Sequence, residues 1–321
     1  MIAATAPGKL FLSGEWAVLR GAPAIVVAVD RTVRVTLDAE PGAGELTVES
    51  LAEGRTWHGD ASVAPMPDGD AGAVVAALRR VGAARGRIIV DSRRFLIGER
   101  KLGLGRSAAT IAAAVVARRA LAAAAVDAEA VLADALAANA LFQDGHGSGA
   151  DVAACVHGGV VEATRRDGRV AAARRSLPAG LQLIAGWTGE SAATTPLVAR
   201  FADMPAPPVL ADLAATARAA ADAIVDGDAA ALCDAIERSA GLLARFGDET
   251  GLPIVTPGLR RLVDAARAAG AAAKPSGAGG GDCGIALAIS PAIATAVRAA
   301  WRDAGILPLD VTIADRGAAR G

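Results

Sequence analysis

Between Gly277 and Gly284 the chain reads Gly-Ala-Gly-Gly-Gly-Asp-Cys-Gly, five glycines in eight positions. Ordering that much glycine costs more chain entropy than a plain turn returns. The cost is offset if two backbones, or a backbone and a ligand, pack closely there; a flexible surface loop is the plain alternative. The segment leads directly into the apolar stretch GIALAI, which predicts a strand and favours close packing.

A second glycine segment, Lys101-Leu-Gly-Leu-Gly-Arg-Ser-Ala-Ala109, precedes a long alanine-rich stretch. Gly103 and Gly105 remove side chains where a ligand approaches the backbone. A helix opened by Ser107 then directs unpaired N–H groups and its positive dipole end into the turn. A triphosphate suits that construction, and the Ser107 hydroxyl suits a magnesium shell. The same letters are compatible with a turn that only caps a helix. They also satisfy G-x-G-x-x-A, the dinucleotide fingerprint, although no acidic strand end follows at the required distance. A third turn, Gly147-Ser-Gly-Ala-Asp151, delivers a carboxylate to the start of an apolar segment, where its simplest role is an N-cap. Lys9, in APGKLFLSGEW, is a lysine among apolar strand residues.

Composition narrows the function. A formal net charge of −1 gives no global field to attract nucleic acid or an anionic membrane. Aromatic residues are 3% with no tyrosine, so stacking platforms for single strands are scarce. Cys155, Cys233 and Cys283 are too far apart for a zinc site and odd in number, which suits a reducing cytoplasm. The N-terminus lacks the basic region of a signal peptide. Thr110 to Val126, interrupted by Arg118 and Arg119, predicts an amphipathic helix and no membrane span. His58, His146 and His157 are too scattered for a metal site. No G-x-x-x-x-G-K-[ST] loop occurs.

At 321 residues two domains are expected. KLFLSG, AIVVAV, TVRVTL and RIIVDS read as strands, Asp60 to Gly72 as a loop, and Ala128 to Phe142 as a helix. Thr164 to Arg175 reads as an exposed hairpin or a linker, and the boundary is placed near Pro178. Thr256-Pro257 and Ser290-Pro291 mark helix starts. GIALAI, a helix over Ile293 to Ala304 and LDVTIA predict a β-α-β return of an α+β protein.

In this order, APGKLFLSGEWAVL, KLGLGRSAA and PSGAGGGDCGIAL resemble the three motifs of the GHMP kinase superfamily (galacto-, homoserine, mevalonate and phosphomevalonate kinases), and together they span Ala6 to Leu287. GSGADVAACVHGG, GWTGESAATTPLV, Lys101 and Asp282 resemble its phosphomevalonate branch. The resemblance implies an α+β GHMP kinase fold. Residues 1–177 would form a domain like ribosomal S5 domain 2, residues 178–321 a ferredoxin-like domain, and ATP with Mg2+ would lie in the cleft.

Carried over by position, Lys9 and Asp151 become the catalytic pair. Gly103, Leu104, Gly105, Arg106, Ser107 and Ala108 surround the ATP phosphates, with Ser107 also on the metal. Lys101, Ser148, Gly149, Thr194, Gly280 and Asp282 face a small anionic acceptor, while Gly277 to Gly281 brace the phosphate loop. The implied enzyme acts on small molecules, without nucleic acid or membrane, as a monomer or homodimer. Mevalonate kinase and a catalytically silent ligand-binding protein are the alternatives. Two positions depart from the pattern: Arg106 replaces a serine of GLGSSAA, and Asn139 stands where the phosphomevalonate branch has histidine. Gln143 and Glu15 are further metal candidates, and Trp57 is a candidate for adenine.

Overall fold

The apolar N-terminal stretch folds as β1 (Ile2–Ser13) and the nineteen-residue β2 (Pro23–Pro41), paired antiparallel along their length. The computed structural model describes residues 1–166, 168–192 and 194–321, and of Thr194 and Thr195 the backbone only. Next come β3 (Leu46–Ser50), β4 (Arg55–Gly59), α1 (Gly69–Val81), β5 (Ala84–Asp91) and a small hairpin, β6 (Leu96–Ile97) with β7 (Arg100–Lys101). Three helices follow, α2 (Arg106–Leu121), α3 (Ala128–Phe142) and α4 (Ala150–His157), then β8 (Val160–Arg166) and β9 (Arg169–Arg175). The charged stretch from Thr164 to Arg175 is therefore a hairpin that extends the first sheet, not a linker. That sheet runs β4-β3-β5-β2-β1, with the β8–β9 hairpin on the first part of β2.

The second sheet is built from β10 (Gln182–Trp187), β11 (Ala272–Pro275), β12 (Cys283–Ala288) and β13 (Leu307–Leu309) in the order β11-β12-β10-β13, all antiparallel. Between β10 and β11 lie α5 (Thr194–Ala202), α6 (Val209–Asp226), α7 (Ala229–Thr250) and α8 (Pro257–Ala268); α9 (Pro291–Asp303) joins β12 to β13. Both expected caps form, with the Thr256 hydroxyl accepting from Leu259 N and that of Ser290 from Ile293 N, each at 3.3 Å.

Three features differ from the sequence reading. The helix read as amphipathic is buried on nearly every side, because α2 runs through the middle of the first unit against β1, β2, α1, α3 and α4. The β-α-β return is not between neighbours, since β10 lies between β12 and β13. LDVTIA leaves the second sheet after Leu309: Ile313 bridges Val29, and β14 (Ala319–Arg320) pairs with β1. The chain end thus returns to the first sheet. A reciprocal tie runs from the N-terminal turn, where Trp16 packs against Phe201 and Phe246 at centroid distances of 5.3 and 5.0 Å. No helix among the described residues is long and apolar enough to cross a membrane.

Candidate active site

Two cavities meet at the junction of the two sheets' loops. The larger, about 330 Å³, is lined by Leu104 to Ala108, Phe95, Lys101 and Pro196. The smaller, about 110 Å³, is lined by Phe11, Glu15, Trp16, Leu19, Ser148, Val198 and Ser276 to Gly279. Five residues line both: Lys9, Gly103, Gln143, Asp151 and Asp282.

The larger cavity is built on the head of α2. Its N-cap, Gly105, is left-handed at φ 78°, and the first helical bond runs from Ala109 N to Gly105 O at 3.0 Å. The N–H groups of Arg106, Ser107 and Ala108 therefore have no partner within the helix. β1 runs alongside, Lys9 N donating to Leu104 O at 2.8 Å. The Lys9 stem crosses the bare face of Gly105, where a Cβ would lie 2.8 Å from both its Cγ and Cε. Its ammonium sits 5.4 Å from the Phe11 ring centroid and makes no ion pair among the described residues. Lys9 and Asp151 are thus brought together on one wall without a direct salt bridge. Asp151 lies in the first turn of α4, one oxygen accepting from Val152 N at 2.9 Å, so Gly149, not Asp151, is the N-cap.

Asp282 joins the units. A Cβ at Gly103 would fall 2.4 Å from the Asp282 Cβ and Cγ, so this carboxylate rests directly on the backbone of the loop before α2. It accepts from Ala192 N at 3.0 Å, and Cys283 Sγ donates to Leu102 O at 2.9 Å. Burial raises the Asp282 pKa, opposed by the Ala192 amide and by the charges of Lys9 and Lys101. Bracing of the loop therefore comes from Asp282 and Cys283. The neighbouring glycines face elsewhere: Gly279 and Gly280 pack on residues 253–254, with Gly280 N donating to Ile254 O at 3.0 Å, and Gly281 packs on Glu190.

Several expected site residues sit differently. The Arg106 guanidinium is held by Glu53 at 2.6 Å and Asp70 at 3.6 Å, which leaves its backbone N–H as its contribution to the loop. Gly149 lines neither cavity and is needed for packing, since a Cβ there would meet Leu136 at 2.5 Å. Gly280 lines neither cavity either, and its amide is used on Ile254. Thr194 opens α5, but its side chain lies outside the described residues. Lys101 lines the larger cavity and Ser148 the smaller. Asn139 is buried with its side-chain amide oxygen unpartnered among the described residues, while Trp57 on β4 lines neither cavity.

Sequence reading missed a buried ion pair, Glu15 with Lys274, behind the smaller cavity. A signal for it was present. The chain has only three lysines, Lys9, Lys101 and Lys274, against thirty arginines, and all three converge on this site. Trp16 was missed as well. It is the centre of a γ-turn closed by Ala17 N to Glu15 O at 2.7 Å, with φ 64° and ψ −48°, a sparsely populated conformation.

A left-handed glycine before a buried helix, a lone lysine across it and a glycine-rich loop from a second α+β unit define one class of protein. Two family models match the chain, the GHMP kinases N terminal domain over residues 71–159 and the GHMP kinases C terminal over residues 220–307. The chain belongs to the GHMP kinase family of phosphotransferases. It is 39% identical to the phosphomevalonate kinase of Streptomyces sp. (strain CL190), over 97% of each chain. It is 33% identical to the mevalonate kinase of Aeropyrum pernix, over 88% of this chain and 87% of the relative. The Streptococcus pneumoniae phosphomevalonate kinase, solved in complex with phosphomevalonate and AMPPNP, matches with a TM-score of 0.82 over 98% of this chain and 100% of its own. At 23% identity, that match shows a shared fold.

Proposed function

We propose that the protein transfers the terminal phosphoryl group of ATP to the phosphate of phosphomevalonate. The observation that carries this reading is the wall shared by the two cavities, where Lys9 stands between a helix head suited to a triphosphate and a second, smaller space. Phosphoryl transfer needs positioning and charge neutralisation more than covalent chemistry. The N–H groups of Arg106, Ser107 and Ala108 and the α2 dipole hold the ATP phosphates from below. Lys9 places its ammonium beside the transferred group, and Lys101 brings positive charge to the same cavity from the β6–β7 hairpin.

A phosphate acceptor has a second pKa of about 6, so it is largely dianionic at neutral pH and needs no base. It needs cations to approach an equally anionic donor, and Asp151 then serves mainly to orient Lys9. The oxygen donors around the loop fit Mg2+ carried by the nucleotide, an ion that keeps few protein ligands. No group of three metal-ligating His, Cys, Asp or Glu exists among the described residues. Ser107 would hold the ion, which would supply charge neutralisation between the phosphates. Glu15 is engaged by Lys274 and is withdrawn as a metal candidate.

Leu19 and Val198, which line the acceptor cavity, also line a third space of about 150 Å³ together with Arg20, His146 and Arg165. We assign this basic mouth to the acceptor's carboxylate. Arg20→Ala combined with Arg165→Ala should raise the acceptor KM by about ten- to a hundredfold, the worth of a charge-assisted hydrogen bond or two, and leave the KM for ATP unchanged. We place the reaction in the cytoplasm, in keeping with three free cysteines.

The test is a coupled ADP-release assay with mevalonate, phosphomevalonate, galactose and homoserine as acceptors. Turnover should be fastest with phosphomevalonate. Preference for mevalonate would shift the assignment to an alcohol acceptor with Asp151 as base. Tight nucleotide binding without turnover on any acceptor would leave a silent binding protein.

A further inference from the structure

We propose that Lys274 is a positioning residue for the acceptor: by pairing with Glu15 it removes a negative charge from the acceptor cavity and fixes the Gly277 loop. The inference rests on the acceptor reading above. Lys274 is 0% exposed and Glu15 4%, and they form an ion pair across 259 positions of sequence. The same Glu15 oxygen accepts the Gly277 N–H at 3.3 Å, and the Lys274 ammonium also donates to Pro275 O at 2.6 Å. Between them, the Ser276 hydroxyl accepts from Phe11 N at 2.9 Å and donates to Phe11 O at 3.0 Å. The end of β1 and the start of the glycine loop are thus stitched into one unit.

A buried ion pair is weak evidence for stability, because well-packed apolar residues serve a core as well or better. This pair has another feature. Glu15 and Gly277 both line the acceptor cavity, which makes Glu15 a third acidic residue, with Asp151 and Asp282, around the space assigned to a dianion. Like charges set against each other in a desolvated site oppose binding. Lys274 stands behind that carboxylate, outside the cavity lining, and cancels its charge. The strained γ-turn at Trp16 begins at Glu15 itself, so the carboxylate is held by backbone as well as by its partner. The pair's two members are therefore not equivalent. Loss of Lys274 exposes an anion to the acceptor, whereas replacing Glu15 by glutamine keeps an oxygen for Gly277 and adds no charge to the cavity. Burial already lowers the Lys274 pKa, so without Glu15 it can shed its proton.

Steady-state kinetics on Lys274→Met, Glu15→Gln and the double variant test this, with thermal melting to fix the folded fraction. Lys274→Met should raise the acceptor KM at least about tenfold, equivalent to 1.4 kcal/mol, with the ATP KM within about twofold of wild type. Glu15→Gln should raise the acceptor KM less than Lys274→Met, and the double variant should recover most of the affinity lost in Lys274→Met, even where their melting temperatures fall. A purely structural strut predicts instead that melting temperatures fall while the acceptor KM of the folded variants stays near wild type. The proposal is overturned by a tenfold rise in acceptor KM for the folded double variant, a result readable against wild type even if Lys274→Met does not fold. An unchanged acceptor KM in folded Lys274→Met overturns it too. Wild-type turnover with phosphomevalonate separately tests the acceptor reading. If another acceptor of the panel is preferred, the same three KM ratios are read with that one.

Discussion

Lys9→Ala is expected to lower kcat by at least about a hundredfold, the order found when a principal electrostatic donor to a transition state is removed. Lys9 is the only residue that combines a free ammonium with a place on the wall common to both cavities, among the described residues. Lys101 lines only the donor side, and the other lysine is neutralised by Glu15. The Arg106 guanidinium, the remaining cation at the helix head, is held by Glu53 and Asp70. Lys9 makes no ion pair that its removal would leave unsatisfied, so the melting temperature should hardly move. Asp151→Asn should cost less than Lys9→Ala if the acceptor is a dianionic phosphate. The comparison is made on kcat at saturating ATP and acceptor. A larger loss for Asp151→Asn would favour proton abstraction from an alcohol and sink the phosphate-acceptor assignment.

What the sequence revealed about this site, and what it concealed, follows from the range of the interactions. The loop before α2 is local: two glycines, a hydroxyl and an alanine-rich helix state its shape within nine residues, and the caps at Thr256 and Ser290 are equally local. The burial of α2 was not legible, because alanine suits an exposed or an enclosed face and erases the periodic contrast that separates them. The direction of Arg106 depended on Glu53, 53 positions earlier, in the turn between β3 and β4. An arginine at a helix head looks like a phosphate ligand until a buried carboxylate claims it. LDVTIA has strand composition, but whether it completes the second sheet or returns to β1 is a tertiary decision its residues do not encode. The glycines of 277–281 announced close packing correctly. Their partner proved to be mainly the chain at 253–254 and Glu190, with Asp282 making the contact to the loop before α2.

Gly105→Ala should also abolish most activity, and for a reason separable from backbone strain. A non-glycine residue at φ 78° costs about 1–2 kcal/mol, which a domain stable by about 5–15 kcal/mol tolerates. The added methyl does more than strain the turn. It would stand 2.8 Å from the Lys9 Cγ and Cε and 3.3 Å from Cδ, so the lysine must leave its groove across the loop. Displacing a reacting group by an ångström costs on the order of a hundredfold in rate, and kcat should fall by about that much with the protein still folded. Gly227→Ala is the matched control: φ is 70° at the C-terminus of α6, and nothing lies within 4 Å of its added Cβ. It should show a similar drop in melting temperature with kcat unchanged. If the two variants lose activity equally, the lysine is not seated on Gly105, and the assignment of Lys9 as the transfer residue loses its geometric basis.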